Sequence, residues 1–247
     1  MMLEDAHCHL DWFLDTKRIV ENYQKENVEY VLSNATSFVS IQNNLALAKK
    51  FPSVLLALGL HPENVLVMTP KQIRDSFELI EKNIASVTAI GEIGLDFKYA
   101  DTDKTKQLQE KVFRDFISLA IKYDKPIVVH ARYAESQTLE ILEEMNAKKI
   151  LMHWYTNSKR LTKKAVALGY YISCGPIIFS DMQSASVVKE IPLENLMLET
   201  DAPVPFEGRG SEPSWIPKVC EKVASIKGIP VKEVREQTTA NFRELFL

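Results

Sequence analysis

Short runs of β-branched and aliphatic residues alternate with longer amphipathic segments along nearly the whole chain of 247 residues. Such a run predicts a buried strand, and apolar residues at three- and four-residue steps predict a helix. Eight strands are predicted, at residues 3–8, 30–34, 54–58, 87–90, 127–129, 150–152, 170–173 and 196–198. Strands that alternate with helices form parallel βα units. The sequence therefore predicts an α/β fold with eight parallel strands.

No proline- or serine-rich linker, long charge run or repeated block interrupts this series. We therefore expect one domain over residues 1–247. Eight βα units can close into a (β/α)₈ TIM barrel, in which reactive groups lie at the C-terminal ends of the strands. An open doubly wound sheet is the alternative fold, and it would need a reversal of strand order that a sequence does not display.

Charge and hydropathy exclude several classes of protein. A formal net charge of −3 argues against coating of the chain by nucleic acid through bulk basicity, although a local phosphate site stays possible. The first residues lack the apolar core of a signal peptide, and apolar stretches such as residues 54–60 are far shorter than the roughly 20 residues of a membrane span. We therefore expect a cytoplasmic protein without a membrane partner. Cys8, Cys174 and Cys220 are expected to be reduced.

All five histidines follow apolar runs. His7 and His9 end the first predicted strand, His61 follows the third, His130 the fifth and His153 the sixth. Because side chains alternate in an extended strand, His7 and His9 point to the same side. Two imidazoles on one side of a strand can bind one metal ion. Taken singly, each histidine is most simply a surface or core residue, but the pairing and the shared position reverse that interpretation and favour a site.

Acidic residues occur at two further strand ends. Glu92 lies between glycines after the fourth predicted strand, where the backbone can approach closely, and Glu199 and Asp201 follow the eighth. Solvated loop acids are the alternative interpretation. At one barrel mouth, however, acids from several strands would crowd together without cations.

Together these positions supply four imidazoles and two carboxylates from five strands. The predicted metal ligands are His7, His9, Glu92, His130, His153 and Asp201. Six ligands are enough for two divalent cations, which carboxylates can bridge. Zn²⁺, Mn²⁺ and Mg²⁺ are candidates, and the ligand types leave the choice open.

Arg132 is a predicted substrate-binding residue. It lies two residues after His130 and faces the same side if the strand continues. Its guanidinium suits the oxygen pair of a phosphate or carboxylate. An ion pair with a loop acid is the alternative.

These segments resemble the TatD-like branch of the metal-dependent amidohydrolase superfamily. The resemblance spans nearly the whole chain, and its segments are DAHCHLD at 5–11, GLHPE at 59–63, GEIGLDF at 91–97, KPIVVHAR at 125–132, MHWYTNS at 152–158, ETDAPV at 199–204, SEPSWI at 211–216 and ANFRELF at 240–246. It implies a (β/α)₈ barrel and a divalent-metal hydrolase, with cleavage of DNA phosphodiesters as the usual activity.

The resemblance also implies roles for individual residues. His7, His9 and Asp201 would bind one metal, His130 and His153 the other, and Glu92 would bridge them. His61 would line the substrate side of the site and donate a hydrogen bond to a phosphate oxygen. Weaker candidates, expected to orient the ligands, are Glu63, Asp96, Arg209 and Glu212.

One motif departs from the family pattern. The family usually has HCF, a small residue and glycine after the sixth strand, whereas this chain has His153-Trp154-Tyr155-Thr156-Asn157. The ligand position is kept, but the loop beside the second metal is bulkier. An aromatic ring here could stack on a base or pack the barrel mouth, and we favour packing.

The sequence therefore predicts a divalent-metal hydrolase, most simply a deoxyribonuclease that acts on a DNA end through a metal-activated water. Glu92 and Asp201 are the predicted catalytic residues, and Asp201 could relay the proton of the water. Two alternatives stay open. One is hydrolysis of a small ester, lactone or amide, and the other is a non-catalytic module that binds metal or nucleic acid.

Overall fold

Eight parallel strands form one sheet in the order of the chain, so each strand pairs with its sequence neighbours. The structure is a computed structural model and describes residues 2–156 and 158–247. The strands are β1 (Leu3–Cys8), β2 (Val28–Asn34), β3 (Val54–Leu58), β4 (Ala89–Asp96), β5 (Ile127–Arg132), β6 (Ile150–Met152), β7 (Tyr171–Cys174) and β8 (Leu196–Leu198). The order contains no reversal, so the predicted barrel is confirmed and the doubly wound alternative is wrong.

Helices cover the outside of the barrel. They are α1 (Thr16–Lys25), α2 (Phe38–Lys50), α3 (Pro62–Val65), α4 (Pro70–Lys82), α5 (Asp103–Lys122), α6 (Glu135–Glu144), α7 (Lys159–Ala167), α8 (Met182–Glu190), α9 (Ile216–Lys227) and α10 (Val231–Phe246). A short hairpin, β9 (Pro205–Phe206) and β10 (Arg209–Gly210), follows β8. None of the described helices combines the length and hydrophobicity that a membrane crossing requires.

Two strands differ from their predicted bounds in a way that matters for the site. Strand β4 begins at Ala89 and continues to Asp96, so Glu92 lies inside the strand and not after it. Strand β5 continues through His130 to Arg132. The predicted strands stop where the apolar runs stop, whereas pairing between β4 and β5 extends both strands into the polar mouth as far as Asp96 and Arg132.

The barrel interior is filled by small and large side chains from alternate positions, and α10 closes its lower end. The interior cluster consists of Ala6, Leu32, Ala57, Ala89, Val128, Leu151 and Met197, with Phe242, Leu245 and Phe246 of α10 packed against it. A filled barrel of this kind is a core and not a pore. Function is therefore confined to the opposite, C-terminal end of the strands.

Strands β1 and β8 meet at the seam of the barrel. The backbone N–H of Asp201 donates to the carbonyl of His7 over 2.9 Å, and the N–H of His9 donates to the carbonyl of Ala202 over 2.6 Å. These seam hydrogen bonds lie at the end of the barrel where the predicted ligands meet.

The three cysteines, Cys8, Cys174 and Cys220, are buried and free, as predicted.

Candidate metal centre

The C-terminal ends of five strands bring the six predicted ligand side chains into one cluster. His7 and His9 come from β1, Glu92 from β4 and His130 from β5. His153 follows β6, and Asp201 follows β8. His130 is half-buried and the other five are buried. Five strand ends that converge in this way can supply a metal site that no single segment could form.

Four of these residues form a first donor set around one point. The Nε2 atoms of His7 and His9 are 3.4 Å apart, and each lies 3.3–3.5 Å from Glu92 Oε2 and from Asp201 Oδ1. Ligands at about 2.0–2.1 Å from a tetrahedral cation are about 3.3–3.4 Å from one another. The five separations match that spacing, and His7, His9 and Asp201 are mutually close enough to bind one divalent cation, with Glu92 Oε2 beside the two histidines.

The other carboxylate oxygen of Glu92 belongs to a second donor set. Its Oε1 lies 2.9 Å from His130 Nδ1 and 3.3 Å from His153 Nε2. These three groups are mutually close enough to bind one ion. Because Oε2 belongs to the first set and Oε1 to the second, Glu92 could bridge two cations.

Three of the histidines are oriented through the ring nitrogen that is not in a donor set. His9 Nδ1 donates to the carbonyl of Asn34 over 2.8 Å, and His130 Nε2 donates to Asp96 Oδ2 over 3.1 Å. His153 Nδ1 donates to Glu199 Oε2 over 3.2 Å. Such hydrogen bonds fix the ring and its tautomer and make the free nitrogen a better metal ligand.

Glu199 orients His153, a role that the sequence analysis did not predict. Besides His153, its Oε2 accepts a hydrogen bond of 2.6 Å from Ser173 Oγ of β7, and the residue is fully buried. From the sequence, Asp201 is a predicted metal ligand and Glu199 has no predicted role in the site. The structure places Asp201 in the first donor set and Glu199 behind His153.

Electrostatics hold the acids ionised. Burial by itself would raise the pKa of both Glu92 and Asp201. The surrounding histidines outweigh burial and lower both values, that of Glu92 well below its usual range. Two carboxylates that stay negative among converging imidazole nitrogens form a chemical environment suited to a divalent cation.

Metal binding is expected to weaken as the pH falls. Burial alone would lower the pKa of His9, but Asp201 and Glu92 outweigh it and raise the pKa to about 9. At neutral pH the metal-free His9 is therefore protonated, and a cation must displace that proton. For each proton released, affinity for Zn²⁺ should rise about tenfold per pH unit below pH 9. Calorimetric titration at pH 6 and pH 8, in buffers of different ionisation enthalpy, measures this, and a pH-independent affinity would contradict it.

The predicted substrate-side residues line a cavity of about 630 Å³ above the donor sets. His61 caps the N-terminus of α3, where its Nδ1 accepts the backbone N–H of Glu63 over 3.2 Å. Its Nε2 lies 3.8 Å from Glu92 Oε1, and burial lowers its pKa to about 4. Because Nδ1 accepts a hydrogen bond, the neutral ring has its proton on Nε2, which lies on the side of the donor sets.

Arg132 ends β5 and lines the same cavity with an exposed side chain. Its guanidinium lies 5.9 Å from the ring centroid of Tyr133. Within the part of the chain that the structure describes, no carboxylate pairs with it. The ion pair that was the alternative interpretation is therefore not formed there, and the cation is available at the mouth.

The four weaker candidates separate into two pairs. Asp96 holds His130, and Glu63 holds His61 through its backbone. Glu212, in contrast, pairs with Arg18 over 3.1 Å, and Arg209 is exposed in the β9–β10 hairpin. The expectation that Glu212 orients a ligand is wrong, because its carboxylate is engaged with Arg18 and also accepts a hydrogen bond of 3.3 Å from Asn22.

The two aromatic residues after His153 occupy different environments. Tyr155 is buried in the core, and its hydroxyl donates to the carbonyl of Glu135 over 3.0 Å. Trp154 is half-buried, lines the cavity and presents an edge-on ring to His153. Asn157, the last residue of the altered motif, lies outside the described residues.

A residue that the sequence analysis missed, Trp12, also lines the cavity. Its ring stacks on the imidazole of His9, with centroids 4.5 Å apart and planes at 15°. A lone tryptophan after the HLD segment gives no signal in a single sequence, because core packing would explain it equally well.

A (β/α)₈ barrel whose mouth gathers imidazoles and carboxylates in two adjoining donor sets defines a class of protein, the metal-dependent barrel hydrolases. Comparison with known proteins identifies the family within this class. The family model described as TatD related DNase matches residues 4–247. The chain therefore belongs to the TatD family of metal-dependent hydrolases.

Individual relatives agree with this assignment. The chain is 34% identical to the human deoxyribonuclease TATDN3, over 99% of this chain and 94% of that protein. It is also 34% identical to the uncharacterised metal-dependent hydrolase BU355 of Buchnera aphidicola, over 100% and 99% of the two chains. Among solved structures, the TatD homologue YjjV of Escherichia coli aligns with a TM-score of 0.91 at 26% identity, over 99% of this chain and 97% of that one.

Proposed function

We propose that the protein is a deoxyribonuclease that hydrolyses phosphodiester bonds at DNA ends with the help of two divalent cations. The observation that carries the proposal is the pair of donor sets that share Glu92 beneath an open cavity. The name of the human relative, a deoxyribonuclease, supports the same substrate. Cations at these two positions would lower the pKa of a water molecule and neutralise charge on a phosphate.

The residues of the chain have distinct parts in this proposal. His7, His9, Asp201 and one oxygen of Glu92 would hold one cation. His130, His153 and the other oxygen of Glu92 would hold the second. Asp201 contributes Oδ1 to the first donor set, and its other carboxylate oxygen would take the proton of the attacking water.

Two further side chains would bind the phosphate. His61 donates from Nε2 on the side of the donor sets, and Arg132 presents a fork of donors at the mouth. An exposed guanidinium that pairs with no carboxylate among the described residues favours an anionic substrate over a neutral ester or amide. Zn²⁺, Mn²⁺ and Mg²⁺ are the candidate cations, since imidazole and carboxylate ligands suit the first two and carboxylates also suit Mg²⁺.

Removal of metal is expected to abolish cleavage reversibly. Protein treated with EDTA and desalted should lose hydrolysis of end-labelled single-stranded DNA, and one of Mg²⁺, Mn²⁺ or Zn²⁺ should restore it. The measurement pairs gel-resolved cleavage with elemental analysis, where two equivalents of metal per chain are expected. Cleavage that survives complete metal removal, or that no divalent cation restores, would contradict the proposal.

A further inference from the structure

Trp12 is a large apolar side chain placed beside the first donor set and half open to the cavity. It ends a short 3₁₀ turn, Leu10–Trp12, in which its backbone N–H donates to the carbonyl of His9 over 3.1 Å. In a 3₁₀ turn the side chains of residues i and i+3 lie over one another, and here these residues are His9 and Trp12. The indole accordingly stacks on His9 and keeps 50% of its surface exposed.

The turn that presents Trp12 is anchored on several sides. Leu10 is fully buried, and its backbone N–H donates to Ser33 Oγ over 3.1 Å. Asp11 Oδ1 accepts a hydrogen bond of 3.0 Å from Asn44 of α2. His9 beneath the indole is itself fixed by Asn34. The ring is therefore held in place before any ligand arrives, so that little conformational freedom is lost on binding.

The other aromatic rings that line the cavity differ from Trp12. Lys98 Nζ lies 5.5 Å from the centroid of the Tyr99 ring, and Trp154 is half-buried and lies edge-on to His153. Trp12 has one side against an imidazole, and its exposed surface faces the cavity. Of these rings, that of Trp12 offers an exposed apolar face for a flat ligand.

The indole of Trp12 and the guanidinium of Arg132 lie on different sides of the mouth. Trp12 follows β1 and Arg132 ends β5, and these strands are opposite in a ring of eight. The two donor sets lie between them. A nucleic-acid strand across the mouth would have backbone charge toward Arg132, a phosphate over the donor sets and a base toward Trp12.

We infer that Trp12 stacks on an unpaired base next to the phosphate that is cleaved. This inference rests on the proposed function and narrows it. Aromatic stacking accepts every base, because each base has a flat apolar face. In an intact duplex the base faces are already stacked on one another, so Trp12 has nothing to cover until the end opens. A small phosphodiester without a base would not use Trp12 at all.

The test compares a single-stranded DNA oligomer with an oligomer of the same length in which abasic tetrahydrofuran residues replace the nucleosides around the cleaved bond. The ratio of the two kcat/KM values measures the contribution of the bases. Stacking on one aromatic side chain makes roughly a 5- to 150-fold difference. We expect a ratio of that size in the unmodified protein. In Trp12→Ala the ratio should fall to near one, mainly because KM for the unmodified oligomer rises. Trp12→Phe should give an intermediate ratio.

Leu14→Ala is the matched control, because Leu14 follows the same strand and its side chain is fully exposed. It should keep the ratio of the unmodified protein. Metal content is measured for every variant, so that a loss caused by a disturbed His9 is separated from a loss of stacking. If the unmodified protein cleaves both oligomers and Trp12→Ala keeps the same ratio, the role of Trp12 is wrong but the proposed function stands. If the unmodified protein cleaves neither oligomer, the proposed function and this inference are both wrong.

Discussion

Replacing Glu92 with glutamine is expected to remove metal from both donor sets and to lower kcat/KM by about 10³-fold or more, because bound cations contribute several kcal/mol to transition-state stabilisation. Glutamine keeps the size of the side chain but loses its charge. One carboxylate oxygen of Glu92 lies 3.5 Å from His7 and His9, and the other lies 2.9 Å from His130 and 3.3 Å from His153. No other side chain of the six contributes to both sets.

The expected loss of metal in Glu92→Gln should exceed the loss caused by removing a hydrogen-bond partner of a ligand. Removing a hydrogen-bond partner of a metal ligand costs about 10- to 100-fold in affinity, so removal of a shared ligand should cost more than that at both positions. Elemental analysis and cleavage of single-stranded DNA measure the two effects. Glu78→Gln, on the exposed side of α4, makes the same chemical change away from the site and should behave like the unmodified protein. A Glu92→Gln variant with two equivalents of metal would refute the bridging role.

Replacing Gly94 with alanine is expected to destabilise the barrel by about 3–5 kcal/mol, the combined size of a strained backbone and a steric overlap. Gly94 has a φ of +147°, and an added Cβ would lie 1.9 Å from the carbonyl oxygen of His130. The two residues are register partners in β4 and β5. Relief of the overlap would require movement of the backbone that carries His130, so the second donor set should be lost with the stability.

Gly169→Ala provides the matched control for this substitution. Gly169 also has a positive φ, +80°, but no atom lies within 4 Å of the position its Cβ would take. Its replacement should cost only the strain of the left-handed backbone, about 1–2 kcal/mol. Urea unfolding of the two variants separates steric overlap from strain. Equal losses in both would show that the contact with β5 does not limit this position.

The fold could be predicted from the sequence because it depends on a repeating pattern. Four of the eight strands have the predicted bounds. Three of these, β3, β6 and β8, are apolar along their whole length, as strands of a parallel sheet covered on both faces usually are. Strands β4 and β5 run further than predicted for the opposite reason. Their last residues are polar and are extended by pairing with each other, as between Gly94 and His130. Apolar pattern alone cannot reveal that part of a strand.

The ligand cluster could be predicted as a set, because four imidazoles and two carboxylates at strand ends have few explanations in a barrel. Its finer arrangement could not. The position of Glu199 behind His153, within hydrogen-bond distance of Ser173, depends on the pairing of β7 with β8. The position of Trp12 over His9 depends on a three-residue turn whose Asp11 is anchored by Asn44, 33 residues further along the chain. Both are products of tertiary contacts and leave no periodic trace in the sequence.

The seam of the barrel and the first donor set are made by the same residues. The backbones of His7 and Asp201 join β1 to β8, and their side chains converge on one point. A cation there would cross-link the first strand of the barrel to the last, much as a disulfide joins distant parts of a chain. Occupancy by metal and the resistance of the protein to heat and proteolysis should therefore rise and fall together.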